Sequence, residues 1–307
     1  MKTLLIGNFG AGNVGDELIL SAALEQYPDS IVMTSNPEAS HIFTNKDFDT
    51  VQFFPTGLRS FFRFLFFASY REDIFSLRNE VFQVVFAGGG LFAIRFRACL
   101  LWSLIFWWVK KVLPGIPVRF EYQGIDSHLE FLNKKIVQFV FRRVDFVSVR
   151  DESSRMALKY FSEKLAENVG DRVSVFLSQK FPDRNFESLK KENIVLVNSI
   201  KPFAWHDFYL RFQSRYKDMA DFLFVFVAFE AQDLSCVPQD FVGKVLYPQT
   251  QNQIFELFKT ARYGVGERFH FLLMSEFFCT SKKSFCLREP YAEKVLSFVK
   301  EKGIEKV

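Results

Sequence analysis

The stretch Thr3-Leu4-Leu5-Ile6-Gly7-Asn8-Phe9-Gly10-Ala11-Gly12-Asn13-Val14-Gly15-Asp16-Glu17 decides the fold of this chain. Residues 3–6 have the composition of a short buried strand, and residues 7–15 form a glycine-rich turn. Apolar side chains then recur at helical spacing over residues 16–24. A strand, such a turn and a helix with an acidic start open an α/β sheet. Ligands of these sheets bind beyond the carboxyl ends of the strands, so this turn is the first candidate binding loop.

The glycines of this turn, Gly10-x-Gly12-x-x-Gly15, also fit the fingerprint of a dinucleotide site. In such a site the helix start receives a pyrophosphate, and an acidic residue about 20 positions later binds the ribose. Here Asp16 and Glu17 occupy the helix start, where they stabilise the helix but repel a pyrophosphate. The next predicted strand, residues 30–36, ends without an acid. These features disfavour a nicotinamide cofactor.

The composition is that of a globular protein of two ordinary domains. The chain has 307 residues, 49% of them hydrophobic, and includes 41 phenylalanines. Its formal net charge of +4 is too small to predict nucleic-acid binding. The four cysteines contain no C-x-x-C pair, which argues against a zinc site or a disulfide framework and fits a reducing compartment. No signal peptide precedes the first strand, so we expect a cytoplasmic protein.

Two α/β segments follow one another along the chain. We predict an N-terminal Rossmann-like domain over residues 1–180, which carries the glycine-rich loops, and a C-terminal Rossmann-like domain over residues 193–307, facing it across a cleft. The polar residues 181–192 form the predicted linker. Further strands are predicted at 82–86, 118–122, 146–150, 194–198, 221–227 and 263–266. Helices are predicted at 57–67, 92–111, 130–143, 251–260, 269–278 and 292–302.

The most apolar stretch, residues 98–109, holds three of the four tryptophans and is bounded by Arg97 and Lys110-Lys111. Twelve residues are too few to span a bilayer. Two interpretations remain open. The stretch is a buried helix of the sheet, or either this helix or the aromatic helix at 58–67 enters the headgroup region of a membrane.

Two places along the chain predict an anion site. The strand at 146–150 delivers Arg150 to its carboxyl end. In Gly266-Glu267-Arg268-Phe269-His270 a strand ends and a helix begins, and a helix start has free N–H groups that bind anions. Arg268 adds a planar guanidinium suited to phosphate or carboxylate. His270 is a candidate functional residue, with a structural role as the alternative.

Several motifs together resemble those of the polysaccharide pyruvyl transferase family. The opening motif is Gly10-Ala11-Gly12-Asn13-Val14-Gly15-Asp16-Glu17-Leu18-Ile19-Leu20. The others follow in the same order: Ala87-Gly88-Gly89-Gly90-Leu91, Gln123-Gly124-Ile125, Val147-Ser148-Val149-Arg150-Asp151, Gly266-Glu267-Arg268-Phe269-His270 and Tyr291-Ala292-Glu293-Lys294-Val295. Each motif is short, but the ordered set runs over nearly the whole chain.

The resemblance implies a glycosyltransferase-B-like fold and phosphoenolpyruvate as the donor, with no further cofactor and no metal. The acceptor would be a sugar of a cell-surface polysaccharide or of its lipid-linked precursor, which leaves peripheral contact with the inner face of the membrane open. By motif position, Arg150, His270 and Lys294 would hold phosphoenolpyruvate.

The implied reaction needs residues of these types. Cations bind the carboxylate and phosphate of phosphoenolpyruvate, and a general acid protonates C3, for which His270 is the candidate. We expect Arg150, Arg268 and Lys294 to bind the acidic groups. Gly12 and Asn13, with Gly89 and Gly90 of the second glycine turn, are expected to contact substrate. Asp16 would bind the acceptor or accept its hydroxyl proton, or else only cap its helix.

Three departures from the family pattern bear on the substrate. Glu267 replaces an apolar residue, the Gly-Pro after Gln123-Gly124-Ile125 is missing, and the span from His270 to Lys294 is long. The sequence is therefore also compatible with two other functions. One is a nucleotide-sugar glycosyltransferase, for which Phe229-Glu230 offers an aromatic and an acidic group. The other is a non-catalytic binding protein of an envelope pathway.

Overall fold

A computed structural model describes residues 1–56, 62, 66, 68–92, 96–183, 185–186, 189, 193–216, 222–279, 284–288 and 293–307. The chain divides into two compact units. The first consists of Met1–Ala11 with Asp16–Val175, and the second of Gly12–Gly15 with Phe176–Val307. Except for Phe62 and Phe66, the predicted helix at 57–67 lies outside the described residues.

The first unit contains an eight-stranded parallel sheet in the order β3-β2-β1-β4-β6-β7-β8, with β5 paired beside β6. Its strands are β1 (Lys2–Ile6), β2 (Ser30–Met33), β3 (Asp49–Val51), β4 (Val81–Phe86), β5 (Gly89–Phe92), β6 (Val118–Ile125), β7 (Phe146–Val149) and β8 (Glu167–Asn168). Its helices are α1 (Val14–Gln26), α2 (Pro37–Thr44), α3 (Ala68–Glu80), α4 (Phe96–Val112), α5 (Phe131–Phe141) and α6 (Glu152–Ser162). Helix α7 (Arg172–Lys180) leads from the first unit into the second.

The second unit contains a six-stranded parallel sheet in the order β11-β10-β9-β12-β13-β14. Its strands are β9 (Ile194–Val197), β10 (Leu223–Val227), β11 (Lys244–Leu246), β12 (Tyr263–Gly266), β13 (Ser284–Cys286) and β14 (Glu305–Lys306). Its helices are α8 (Trp205–Arg215), α9 (Gln251–Thr260), α10 (Phe269–Cys279) and α11 (Glu293–Lys302), with a 3₁₀ helix at Ala231–Cys236.

Aromatic rings fill both cores, which accounts for much of the phenylalanine. In the first unit, Phe86 stacks on Phe120 with ring centroids 4.1 Å apart. In the second, Trp205 meets Phe224 edge to face at 4.9 Å. The central strands β1, β9 and β12 are almost wholly buried, because parallel sheets are covered by helices on both faces.

The structure confirms most predicted elements and corrects two. Strand β6 runs to Ile125, so residues 123–125, predicted as a loop, belong to the sheet. Strand β5 occupies Gly89–Phe92, where a turn and a helix start were predicted, and the described part of α4 is Phe96–Val112. In both places short motif residues pair with neighbouring strands, and such pairing is not visible in the local sequence pattern. No helix of the described residues is both long and apolar enough to cross a membrane.

Candidate functional site

The segment Gly12–Gly15 is bonded to the second unit although it lies near the start of the chain. The Tyr247 hydroxyl donates to the carbonyl oxygen of Gly12 (2.7 Å), and the Val14 amide donates to the carbonyl oxygen of Phe229 (2.8 Å). The amide nitrogen Nδ2 of Asn13 donates to Glu230. Gly12 has a φ of 76°, a conformation that favours glycine. Three hydrogen bonds thus fix this segment beside residues that follow β10 and β11.

His270 lies against the last residue of that segment. It is the second residue of α10 and is half-buried. A Cβ atom at Gly15 would overlap Nδ1 of its imidazole, so the absence of a side chain at Gly15 lets the ring approach the backbone. The Gly15 amide in turn donates to Oδ1 of Asn13 (2.8 Å). The opening glycine motif and the predicted general acid are therefore brought together.

Arg268 is held by two carboxylates. Its Nη1 and Nη2 donate to Glu230 at 3.0 and 2.9 Å, and its Nε donates to Asp233 at 2.7 Å, with a further bond from Nη2 to Asp233. Burial lowers the pKa of Arg268, but the hydrogen bonds and negative charge of Asp233 and Glu230 outweigh this and raise it. The guanidinium that was predicted to bind substrate is largely engaged by the protein, and through Glu230 it supports Asn13.

A buried amide completes this cluster. Asn198 follows β9 and is fully buried. Its Oδ1 accepts from the backbone amide of Arg268 (3.2 Å), and its Nδ2 donates to the carbonyl oxygen of Val227 (2.9 Å) and to Asp233 (3.4 Å). Asn198 and Asp233 were not predicted. The only signal in the sequence was a polar residue at the carboxyl end of an apolar strand.

Lys294, the predicted third cation, is exposed on the first turn of α11. Its ammonium lies 5.8 Å from the ring centroid of Phe269, and that ring meets the imidazole of His270 edge to face at 5.1 Å. Lys294 and His270 are thus both placed next to Phe269 in the second unit.

The remaining predicted residues belong to the first unit. Asp16 lies in the first turn of α1, where Oδ2 accepts a hydrogen bond from Asn8 (2.8 Å). A Cβ atom at Gly89 would come 3.8 Å from Oδ1 of Asp16, so these two motifs are neighbours. Gly89 has a φ of 86°, whereas Gly90 is exposed and has open space around it.

Arg150 directly follows β7, as predicted, and its side chain is only 6% exposed. Its Nε donates to Asp151 at 3.0 Å. A Cβ atom at Gly124 would overlap the guanidinium, so the arginine packs on the backbone of the Gln123-Gly124-Ile125 motif. Asp151 also caps α6 by accepting from the Ser154 amide (2.7 Å), which confirms the predicted cap.

Glu17, beside Asp16, has an environment that the sequence did not predict. Only 5% of the residue is exposed, and its Oε1 accepts from the Gly10 amide (2.6 Å). Burial raises the pKa of its carboxyl to about 7, and the negative charge of Asp16 acts in the same direction. The hydrogen bond that the Gly10 amide donates to Glu17 lowers this pKa, but only in part offsets the effect of burial. Glu17 therefore titrates near neutral pH.

Glu267, which departs from the family pattern, has partners within the second unit. One of its oxygens, Oε2, accepts from the Ser199 hydroxyl (2.7 Å) and the Ile200 amide (2.9 Å). Its other oxygen lies 3.7 Å from Nε of Arg288. The carboxylate thus ties the residues after β9 to those after β12 and β13.

Within the part of the chain that the structure describes, no group of three or more histidine, cysteine or acidic side chains could hold a metal ion. The four cysteines are buried and form no disulfide bond. The chemistry available at the second unit's cluster is that of an imidazole, an ammonium group and a rigid arginine–carboxylate network.

Comparison with known proteins identifies the family. The family model of polysaccharide pyruvyl transferase matches residues 13–280. This chain belongs to the polysaccharide pyruvyl transferase family. The match begins at Asn13 and includes Arg150, Arg268 and His270, whereas Lys294 lies beyond it. Membership makes the protein a transferase of polysaccharide biosynthesis. No curated protein matches the chain.

Solved structures with the same fold are distant in sequence. The UDP-GlcNAc 2-epimerase of Methanocaldococcus jannaschii, in complex with UDP-GlcNAc and UDP, has 14% identity and a TM-score of 0.59 over 100% of this chain and 89% of its own. S. aureus MnaA with UDP has 12% identity and a TM-score of 0.59, and the match covers 100% of this chain and 84% of MnaA. The UDP-GlcNAc 2-epimerase of Neisseria meningitidis, bound to UDP-GlcNAc, has 14% identity and a TM-score of 0.57. The match covers 100% of this chain and 87% of the epimerase. These likenesses confirm the predicted fold class, with two Rossmann-like domains of the glycosyltransferase-B kind.

Proposed function

We propose that this protein transfers the pyruvyl group of phosphoenolpyruvate to a sugar of a cell-surface polysaccharide, or of its lipid-linked precursor, and forms a cyclic ketal. Family membership supports the class of reaction. The observation that carries the proposal is the packing of His270 on Gly15, within a segment that Tyr247, Phe229 and Glu230 hold in place. An acid that must protonate one carbon needs such a fixed position.

In the proposed reaction, protonated His270 donates its proton to C3 of phosphoenolpyruvate, which becomes the methyl group. The oxygen of one sugar hydroxyl then bonds to C2 and loses its proton to a base, for which Asp16 is the candidate. The C2–O bond to phosphate breaks, and inorganic phosphate leaves with the proton that Asp16 accepted. A second hydroxyl of the same sugar then bonds to C2 and closes the ring, and its proton restores the one that His270 donated. The products are the ketal and phosphate, so the reaction needs no oxidant or reductant.

The three basic side chains Arg150, Lys294 and Arg268 have different roles in the proposed reaction. Arg150 and Lys294 bind the carboxylate and phosphate of the donor and stabilise the departing phosphate. Arg268 is a positioning residue, because its bonds to Glu230 and Asp233 fix the carboxylate that holds Asn13. The substrates are also contacted by backbone groups of the two glycine-rich turns, namely those of Gly12, Asn13, Gly89 and Gly90.

The test compares His270→Asn with His206→Asn, an exposed histidine of α8. Phosphate release and the ketal methyl signal are followed by NMR with phosphoenolpyruvate and a lipid-linked disaccharide. We expect His270→Asn to lower kcat by about 100-fold or more, as removal of a general acid does, with an unchanged melting temperature. His206→Asn should behave as wild type. Full activity of folded His270→Asn would refute the acid role.

A ligand panel separates the proposed donor from a nucleotide sugar. Phosphoenolpyruvate should raise the melting temperature of the wild type, because a ligand that binds only the folded state stabilises it. UDP and UDP-sugars should have no such effect. A response to UDP alone would replace the proposed reaction by glycosyl transfer.

A further inference from the structure

Helices α4 and α5 of the first unit form an apolar face that the proposed reaction does not use. Each leads from the carboxyl end of one parallel strand to the amino end of the next, so the two helices run in the same direction. A groove of about 470 Å³ lies between them. It is lined by Phe96, Ser103, Leu104, Trp107, Leu132, Lys135, Ile136 and Phe139.

Large apolar side chains on these helices are exposed rather than buried. Phe131 is 71% exposed and Leu132 is 61% exposed at the start of α5, and Trp107 and Phe139 are each 43% exposed further along. The opposite side of α4 is buried, with Cys99, Trp102 and Phe106 in the core. Contiguous exposed apolar surface of this kind marks an interaction site.

The charge on this face is mainly positive, although the exposed Glu130 lies at the N-cap of α5. Residues 96–112 and 131–143 contain seven basic and no acidic residues. Because the helices run in the same direction, Lys110-Lys111 and Arg142-Arg143 lie at the same end of the face. Asp145 and Glu163, outside the two segments, pair with Lys110 and Arg142, and an excess of positive charge remains.

The cations are placed over the exposed rings. The ammonium of Lys111 lies 5.9 Å from the ring centroid of Trp107, and that of Lys135 lies 5.5 Å from the centroid of Phe131. The guanidinium of Arg143 lies 4.1 Å from the centroid of Phe139. Rings that enter the acyl boundary, with basic groups at headgroup level beside them, are typical of helices that lie in a membrane interface.

We propose that the α4–α5 face binds the surface of a bilayer that contains anionic phospholipid. Its excess of positive charge favours this occupant over a second copy of the chain. A two-fold dimer through this face would oppose the same basic residues of both copies, at a cost in repulsion. The inference does not depend on the proposed reaction, since none of the residues assigned to catalysis lies on these helices.

The test is co-sedimentation of the full chain with vesicles of phosphatidylcholine alone or of phosphatidylcholine with phosphatidylglycerol. We expect binding only to the anionic vesicles, weakening with added salt. The double variant Phe131→Ser/Leu132→Ser should bind at least roughly tenfold more weakly. The double variant Lys111→Gln/Arg143→Gln should lose on the order of tenfold to thirtyfold, from about 1 kcal/mol for each cation near the surface.

Matched controls are available elsewhere on the chain. Leu165→Ser removes a side chain that is 78% exposed, and Lys159→Gln/Lys244→Gln removes two exposed cations; both should bind as the wild type does. Melting curves establish that each variant is folded. The proposal is overturned if the wild type fails to bind anionic vesicles or if the α4–α5 variants bind like their controls. It is equally overturned if sedimentation equilibrium shows a wild-type dimer that Phe131→Ser/Leu132→Ser dissociates, because a second copy would then cover the face.

Discussion

Each unit buries an arginine against carboxylate, and the two clusters differ in their charge balance. In the first unit, Arg172 and Arg119 share the single carboxylate of Glu121 at 2.6 and 2.9 Å, and the Tyr27 hydroxyl donates to it at 2.8 Å. In the second unit, one arginine, Arg268, is shared by two carboxylates.

The difference separates a structural cluster from one that supports a site. The side chains of Arg172 and Glu121 are each 3% exposed, and the other members of the cluster all donate to Glu121. Burial raises the pKa of Tyr27 to about 12, and the charge of Glu121 adds to this. In the second unit, Glu230 is 23% exposed and extends the network to Asn13, beside the residue that His270 packs against. Disrupting the first cluster should therefore reduce stability, whereas disrupting the second should reduce activity.

The largest expected effect is on the stability of the first unit. Glu121→Gln removes the one negative charge of its cluster and leaves two cations, one fully buried. We expect the free energy of unfolding to fall by about 3–5 kcal/mol, as when one partner of a buried pair is removed. Urea unfolding measures it. Glu152→Gln, which breaks the exposed pair with Arg155, is the control. Equal unfolding midpoints for both variants would show that the buried cluster has no special role in stability.

A smaller effect is expected at Glu17, a buried carboxylate that lies beside another acid rather than beside an arginine. Burial raises its pKa from the ordinary 4.5 of a glutamate to about 7 in the folded protein. Because the folded-state pKa is raised, the contribution to stability is complete below about pH 4.5 and is lost as the pH rises through 7. The loss amounts to at most about 3 kcal/mol.

The variant Glu17→Gln should remove this pH dependence. The difference in the free energy of unfolding between the variant and the wild type should therefore rise, in favour of the variant, from about pH 5 to about pH 8. Urea unfolding at each pH measures it. Glu38→Gln, at an exposed position of α2, should follow the wild type throughout. A constant difference between Glu17→Gln and wild type across this range would mean that Glu17 is not the titrating group.

Sequence reasoning predicted the local parts of the site better than the pairings. The strand, turn and helix around Gly12, the position of Arg150 at the end of β7 and that of His270 at the start of α10 follow from apolar runs and helix starts within a few residues. The pairing of Arg268 with Glu230 joins residues 38 positions apart, and the bond from Tyr247 to Gly12 joins residues 235 apart. Such contacts depend on strand order, which no local pattern contains.

The dependence on strand order also explains why the short strand β5 was not predicted. Strand β5 is a glycine-containing segment that becomes a strand only because β6 offers a pairing edge, and tertiary context overrides its local propensity. The raised pKa of Glu17 likewise results from burial, which depends on the packed core rather than on its acidic neighbour in the sequence.

A paired substitution tests the comparison of the two clusters directly. Lysine keeps the charge of arginine but has no fork to bridge two carboxylates. Arg268→Lys should lower the rate of pyruvyl transfer by roughly tenfold to a hundredfold, because small displacements of a positioned group have costs of this size. Arg172→Lys should lower the melting temperature but retain kcat at a temperature where it is folded. A slow, stable Arg172→Lys with a fully active Arg268→Lys would reverse the assignment of the two clusters.

The smallest expected effect concerns the hydroxyl that holds the glycine segment. Tyr247→Phe keeps the ring and removes only the donor to the carbonyl oxygen of Gly12, so the free energy of unfolding should fall by about 1 kcal/mol. The Val14 and Asn13 bonds remain and keep the segment in place. Activity should therefore fall only several-fold, whereas combining Tyr247→Phe with Arg268→Lys should cost more than the two separate losses, because both act on one short segment. Tyr160→Phe, at an exposed tyrosine, is the control, and strict additivity of the double variant would show that the two contacts position His270 independently.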